Sequence, residues 1–512
     1  MANSIPTADS IWTIVSANTS ERAIGAPGRP WLDGAGLRAL AEQTRLALNG
    51  AGIGRGDRVG IVLPNGPEMA TCFAGVAGTC TAAPLNPAYT ADEFDFYLSD
   101  LKPRAVILLH GDTTPVRAVA ERLGIPVIEL QPTADAAAGS YRLDTAALPA
   151  GAPAEAGAAG PDDMALVLHT SGTTARPKIV PLSNRNLAAS AGHVAQSLAL
   201  GPTDICLNVM PLFHIHGLVA AVMSSLRAGA GVCCTPGFNA FKFGEWLNEV
   251  HPTWYTAVPT MHQAVLMRMR AHPERARAAG LRLIRSSSAS LPPQVMQELE
   301  EVFGSPVIEA YGMTEAAHQM ASNPLPPRAR KPGAVGLAAG PEIAVMTDDG
   351  MILSQGSVGE VVIRGPNVTL GYDNNPDANA RAFTDGWFRT GDQGRVDEEG
   401  YLFLTGRLKE QINRGGEKIS PLEVDVVLLD HPSVAQAVTF GVPHAKLGEE
   451  VGTFLVLHPG TSATEQEIRD FCATRLAAYK VPRHVLLRDD IPKGATGKVQ
   501  RIGLAGKLGL GA

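Results

Sequence analysis

The sequence predicts a multidomain α/β protein with a small α+β unit at its C-terminal end, and three observations carry that reading. A chain of 512 residues exceeds what one hydrophobic core organises, so two or more domains are expected. Apolar, strand-like runs alternate with helix-spaced ones as far as Glu315, the pattern of βαβ units with largely parallel sheets. From Gly333 to Leu404 the pattern changes to short alternating strands separated by glycines, a β-rich, barrel-like subdomain.

In chain order, Leu37, Leu40, Ala41, Leu46 and Leu48 give residues 32–49 helical spacing, closed by the glycines of 50–56. Residues 57–63 form a strand, and Asn65-Gly66 turns into a second helix. Residues 105–109 and 127–130 are further strands. Residues 131–161, rich in Ala, Gly and Pro, read as a loose surface connection. A buried strand at 164–168 leads into a polar loop, and a helix starts near Ser183. Residues 204–209 form a strand, 213–217 a loop and 218–226 a helix; 281–285 and 307–309 are strand-like. In the last hundred or so residues Ser420 is an N-cap with Pro421 in the first turn. Strands at 438–441 and 452–457 and a helix at 465–476 follow.

Hydrophobic content of 45% and a mean hydropathy of +0.04 fit a globular protein. The net charge of −7 argues against a general polyanion-binding surface, so nucleic acid is not an expected partner. The six cysteines form no C-x-x-C pair and read as small buried residues of a reducing compartment. No signal peptide, no bilayer-length apolar run and no peroxisomal tripeptide is visible, which makes a cytoplasmic protein the expectation.

The polar loop is His169-Thr170-Ser171-Gly172-Thr173-Thr174-Ala175-Arg176-Pro177-Lys178. Hydroxyls and free backbone N–H groups around Gly172, followed by Arg176 and Lys178, can wrap a phosphate; alone, they also fit an ordinary polar turn. The Walker A spacing is absent. The loop resembles the phosphate loop of the adenylate-forming superfamily, which includes acyl-CoA synthetases, non-ribosomal peptide adenylation domains and firefly luciferase. That family usually has Gly where this chain has Ala175.

Five further stretches match the same family, so the resemblance covers nearly the whole chain. Tyr311-Gly312-Met313-Thr314-Glu315 resembles a motif in which the aromatic packs on adenine, Thr314 contacts the α-phosphate and Glu315 binds Mg²⁺. A carboxylate near a triphosphate is repulsive unless a divalent cation bridges them. The strand residues Glu309 and Ala310 and the segment Ser288-Ala289-Ser290 fall, by the same resemblance, on the nucleotide. Thr390-Gly391-Asp392 resembles a ribose clamp, and Arg407 in Gly406-Arg407-Leu408-Lys409 is placed on the same ribose, with Lys409 as hinge. Arg414-Gly415-Gly416-Glu417-Lys418-Ile419 resembles the glycine loop lining the pantetheine tunnel, although a hairpin turn has the same composition. Pro492-Lys493-Gly494-Ala495-Thr496-Gly497-Lys498 puts Lys498 at the catalytic lysine position, where an ammonium neutralises the transition state at the α-phosphorus.

The acid is suggested by polar residues where a fatty-acid enzyme would want apolar lining. They are His214 and His216 in Phe-His-Ile-His-Gly, Ser286 to Ser288, and His318. His214 is a frequent gate residue of acyl-CoA synthetases. Residues 254–260, 322–326 and 413–418 are similar to oxalate–CoA ligases. A small dianion needs hydrogen-bond donors at its distal carboxylate; the same histidines could instead pack in a core.

The resemblance implies an N-terminal adenylation domain over 1–408 and a mobile C-terminal domain over 409–512 that carries Lys498. It implies an ATP-dependent acid–CoA ligase that uses ATP, Mg²⁺ and coenzyme A with a small carboxylic acid, oxalate being the first expectation. Another short acid or a medium- or long-chain fatty acid, or a nucleotide-binding protein without catalysis, are the alternatives. The sequence leaves the oligomeric state open.

Overall fold

The computed structural model describes residues 9–170, 177–491 and 501–510. Two large sheets, a five-stranded antiparallel sheet and a C-terminal sheet organise them.

The first sheet has seven strands in the order Tyr141–Asp144, Val127–Pro132, Ala105–Leu109, Arg58–Val62, Thr81–Pro84, Met164–Thr170 and Lys178–Ser183. Its centre is parallel, and the apolar strand Ala105–Leu109 is buried over four of its five residues, as a strand covered on both faces must be. The helix Gly34–Gly50 starts where the Asp33 side chain accepts a hydrogen bond from Gly36 N at 2.7 Å, and it buries Leu37, Leu40, Ala41 and Leu48.

The second sheet has nine strands in the order Leu337–Ala338, His318–Ser322, Val307–Met313, Leu283–Ser286, Trp254–Ala257, Ile205–Asn208, Gly231–Cys234, Ile24–Ala26 and Arg29–Leu32. The helices Pro67–Ala77 and His216–Met223, buried along their whole lengths, lie in one continuous apolar core with residues of both sheets. The β-rich stretch is a sheet of Glu342–Met346, Gly359–Arg364, Trp387–Val396 and Phe383–Thr384, with Leu402–Arg407 paired to Trp387–Val396. The C-terminal sheet is built on a long hairpin, Val434–His444 with Gly448–Leu457, flanked by Ile412–Arg414, Glu417–Ile419 and His484–Leu487.

The structure corrects four details of the sequence reading. Residues 131–161 are not wholly loose: Tyr141–Asp144 is an antiparallel edge strand, anchored by the buried Tyr141 hydroxyl 2.7 Å from Thr44 Oγ1. The helix expected at 218–226 begins at His216 and is a π-helix to Met223, followed by Ser224–Arg227; a uniformly apolar run carries no period that separates the two helix types. Ser420 sits at the N-cap of Pro421–Leu429 with extended backbone, but its hydroxyl donates to Thr405 O instead of capping the helix. The helix expected at 465–476 ends at Ala473.

Candidate active site

The strands Leu283–Ser286 and Val307–Met313 run parallel, with Ser286 opposite Glu309, and deliver the segments that follow them to one place. After the first, Ser288 takes a left-handed backbone (φ 73°), and Ala289 and Ser290 are exposed. After the second, Thr314–Ala316 makes a 3₁₀ turn, and the chain reverses through Ala317 (φ 48°) and His318 (φ 106°) into the antiparallel strand His318–Ser322. Gly312 is required here: a Cβ would sit 1.9 Å from His318 O. Non-glycine residues at positive φ are strained, and such strain persists where surroundings over-determine it.

Glu315 is buried, and Tyr372 donates its hydroxyl to Glu315 Oε1 at 3.0 Å. Burial raises the Glu315 carboxyl above its ordinary range, against the pull of Tyr372, Arg407 and Lys178. Lys178 begins the strand Lys178–Ser183 opposite Thr170, and its ammonium lies 4.2 Å from the centre of the Tyr372 ring. Burial lowers its pKa, and the nearby Lys409 and Arg381 lower it further. Several cations thus face one carboxylate, a local excess of positive charge suited to a polyphosphate.

Asp392 and Arg407 complete the neighbouring wall. Arg407 Nε donates to Asp392 Oδ1 at 3.1 Å, and the Tyr311 hydroxyl donates to Asp392 Oδ2. A carboxylate offers about four acceptor positions, so each oxygen keeps capacity for one further donor, as two ribose hydroxyls would need. Lys409 is exposed in the 3₁₀ turn Leu408–Glu410, between Leu402–Arg407 and Ile412–Arg414.

The second half of the site is a polar cluster. His216 Nδ1 is 3.0 Å from Ser288 Oγ, and His216 Nε2 is 2.7 Å from Thr256 Oγ1. The His216 and His318 rings lie 4.9 Å apart, and both are buried. His214 is half-buried, its ring tilted against Phe213 with centroids 4.7 Å apart. A π-helix starting at His216 fits this placement, because such turns recur at functional sites.

Some expected residues are engaged elsewhere. Glu309 is 2% exposed, and its carboxylate accepts from Leu291 N at 2.9 Å, so it buttresses the segment after Ser288. Burial pushes it up to about 8. Arg414 is paired with Glu450 at 2.5 Å, and Gly415 (φ 62°) and Gly416 (φ 96°) form the two-residue turn of a hairpin. Ser171, Gly172, Thr173, Thr174 and Lys498 lie outside the described residues. Sequence reasoning missed Tyr372, Thr256 and Gln319; each is far along the chain from the group it touches, and only the fold brings them together.

The AMP-binding enzyme family matches residues 17–373, and the AMP-binding enzyme C-terminal domain matches residues 423–498. The chain belongs to the AMP-binding enzyme family. The oxalate–CoA ligase of Arabidopsis thaliana is 47% identical to this AMP-binding enzyme over 488 residues, covering 94% of each chain. The oxalate–CoA ligase of Saccharomyces cerevisiae is 42% identical, covering 87% of this chain and 86% of its own. ATP-bound MatB from Rhodopseudomonas palustris superposes with a TM-score of 0.87 at 30% identity, over 98% of this chain and 99% of its own. Among the described residues, no helix of this AMP-binding enzyme is long and apolar enough to cross a membrane.

Proposed function

We propose that this AMP-binding enzyme is an ATP-dependent acid–CoA ligase whose acid is oxalate. A carboxylate oxygen of the acid attacks the α-phosphorus of ATP, giving the acyl-adenylate and pyrophosphate. The thiol of coenzyme A then attacks the acyl carbon and displaces AMP. Asp392 and Arg407 hold the ribose, Tyr311 the adenine, and Thr314, Thr170 and Lys178 the phosphates.

Glu315 fits a magnesium site of the kind that takes one carboxylate and completes its shell with phosphate oxygens and water. Among the described residues no cluster of three His, Cys, Asp or Glu side chains competes with it. Magnesium bound there would bridge the phosphates and neutralise their charge.

Lys498 closes on the α-phosphate during adenylation. Residues 409–512 then rotate about Lys409 and bring Arg414, Gly415 and Gly416 to the pantetheine arm. This division at 408/409 is supported by the exposed 3₁₀ turn between two sheets.

The observation that carries the choice of acid is the polar cluster of His216, His318 and Ser288, with both histidines buried, where a hydrocarbon tail would call for apolar lining. Similarity to two oxalate–CoA ligases supports the same choice. The test is ATP–pyrophosphate exchange with oxalate as the only acid, followed by mass detection of oxalyl-CoA once coenzyme A is added. Exchange and thioester are expected; neither, with other acids active, would overturn oxalate.

A further inference from the structure

Arg285 is among the largest fully buried side chains of the protein, at 0% exposure. It lies in the strand Leu283–Ser286, in register with Thr256 on the neighbouring parallel strand. Its guanidinium meets only neutral acceptors: Thr256 Oγ1 at 3.4 Å, His216 Nε2 at 3.5 Å and Gln319 Oε1 at 3.2 Å. The Gln319 amide is turned for this, because its nitrogen donates to Ser197 Oγ at 2.9 Å and Ala339 O at 3.1 Å. Arg285 Nε has no partner among the described residues.

A buried cation is normally matched by a carboxylate, and an unmatched one is among the costliest features a core can hold. Among the described residues, the acidic group that bears on it is Cys206, whose thiol burial holds neutral. Burial lowers the guanidinium to about 9, which leaves it protonated at neutral pH. No carboxylate among the described residues meets this cation, which leaves a counter-charge to be supplied by a ligand.

The contacts indicate where it binds. Arginine can only donate, so the His216 Nε2 facing it is an acceptor, further engaged by the Thr256 hydroxyl. The ring proton is then on Nδ1, which points to Ser288, one of the residues that frame the acid site. With the Nδ1 proton given to Ser288 Oγ, the serine hydroxyl keeps its own proton to donate, and a positive charge behind it in a low-dielectric surround favours an anion at Ser288.

We infer that Arg285 is a positioning and specificity-determining residue: acting through His216, it matches the site to the second carboxylate of a short dicarboxylate and closes it to monocarboxylic chains. This rests on the acid–CoA ligase reading above. Among the described residues no carboxylate meets Arg285, so selectivity follows from charge as well as from size.

The experiment compares wild type, Arg285→Met and Arg285→Lys, measuring kcat/KM by acid-dependent AMP release with oxalate and with propionate. Arg285→Met is expected to lose about a hundredfold with oxalate, mainly in KM, and to keep or gain activity with propionate. Arg285→Lys is expected to recover at least about tenfold of the loss. These effects are the scale of losing one charge-assisted interaction. Equal loss on both acids, or no rescue by lysine, would overturn the role and reduce Arg285 to packing. If Arg285→Met does not fold, the wild type answers alone: oxalate should exceed oxamate, which replaces one carboxylate by an amide, by about a hundredfold, and equal use of the two overturns the inference. Oxalate turnover by the wild type reports separately on the acid–CoA ligase reading: without it that reading fails, whereas turnover with unchanged selectivity in Arg285→Met defeats only the role of Arg285.

Discussion

Asp392 and Arg407 stand directly opposite each other in the antiparallel register of Trp387–Val396 and Leu402–Arg407, and Arg407 Nε reaches Asp392 Oδ1 at 3.1 Å. The arginine side chain is 54% exposed and the aspartate 7%. An ion pair with one partner in water contributes little to stability, so its value lies in holding the carboxylate for a ligand. Asp392→Asn is expected to raise KM for ATP about ten- to a hundredfold, the scale of weakened charged hydrogen bonds, with little change in melting temperature. Initial rates at varied ATP, with a thermal melt on the same samples, check both parts; a large drop in stability would make the pair structural.

Glu309 predicts a pH dependence of stability. Its folded-state pKa is raised from 4.5 to about 8 by burial. The folded protein therefore holds a proton that the unfolded chain has lost, and stability falls as pH rises between those values. His262, lowered from 6.5 to about 4, acts with the opposite sign, but only below its ordinary value. In the window from pH 6.5 to 8 the difference between wild type and a Glu309 variant therefore reports on Glu309. Glu309→Gln, which keeps an acceptor for Leu291 N, removes roughly 2 kcal/mol of destabilisation across that window. The difference in melting temperature between variant and wild type should widen as pH rises from 6.5 to 8; a constant difference would show that Glu309 does not titrate there.

His318 is held at positive φ with its ring 4.9 Å from that of His216, and the proposed acid site draws on both. His318→Ala is expected to lower kcat/KM for oxalate by about ten- to several-hundredfold while KM for ATP stays within about threefold. A core role would instead lower stability and affect every acid alike. Parallel kinetics with oxalate and one monocarboxylic acid separate the two.

Lys409→Pro fixes φ in the turn Leu408–Glu410. Adenylate formation, read by ATP–pyrophosphate exchange, should persist, and thioester formation should slow by about tenfold or more, because only the second step needs the rotation. Equal rates of thioester formation would remove Lys409 from the hinge.

Much of this site was legible because its residues sit in short runs whose chemistry is local. Tyr311 to Glu315, Thr390 to Asp392 and the glycines 415 and 416 each carry their turn or their charge with them. What escaped was assembled across distance. Tyr372 is tied to Glu315 by one hydrogen bond between separate subdomains, and Thr256 and Gln319 reach Arg285 from different strands. Glu309 lies in the expected strand, but its side chain is turned to Leu291 N, and which face a strand residue presents depends on what packs there. The edge strand Tyr141–Asp144 was hidden by its Ala- and Gly-rich surroundings, which give no alternation to read.

The central claim is that this AMP-binding enzyme activates a small dicarboxylic acid for transfer to coenzyme A. Its most direct measurement is kcat/KM for coenzyme A-dependent AMP release with oxalate, propionate, octanoate and palmitate at saturating ATP and magnesium. The account predicts that oxalate leads each monocarboxylic acid by about two orders of magnitude or more, the scale set by burying a second carboxylate against fixed donors. A preference for octanoate or palmitate over oxalate would contradict it.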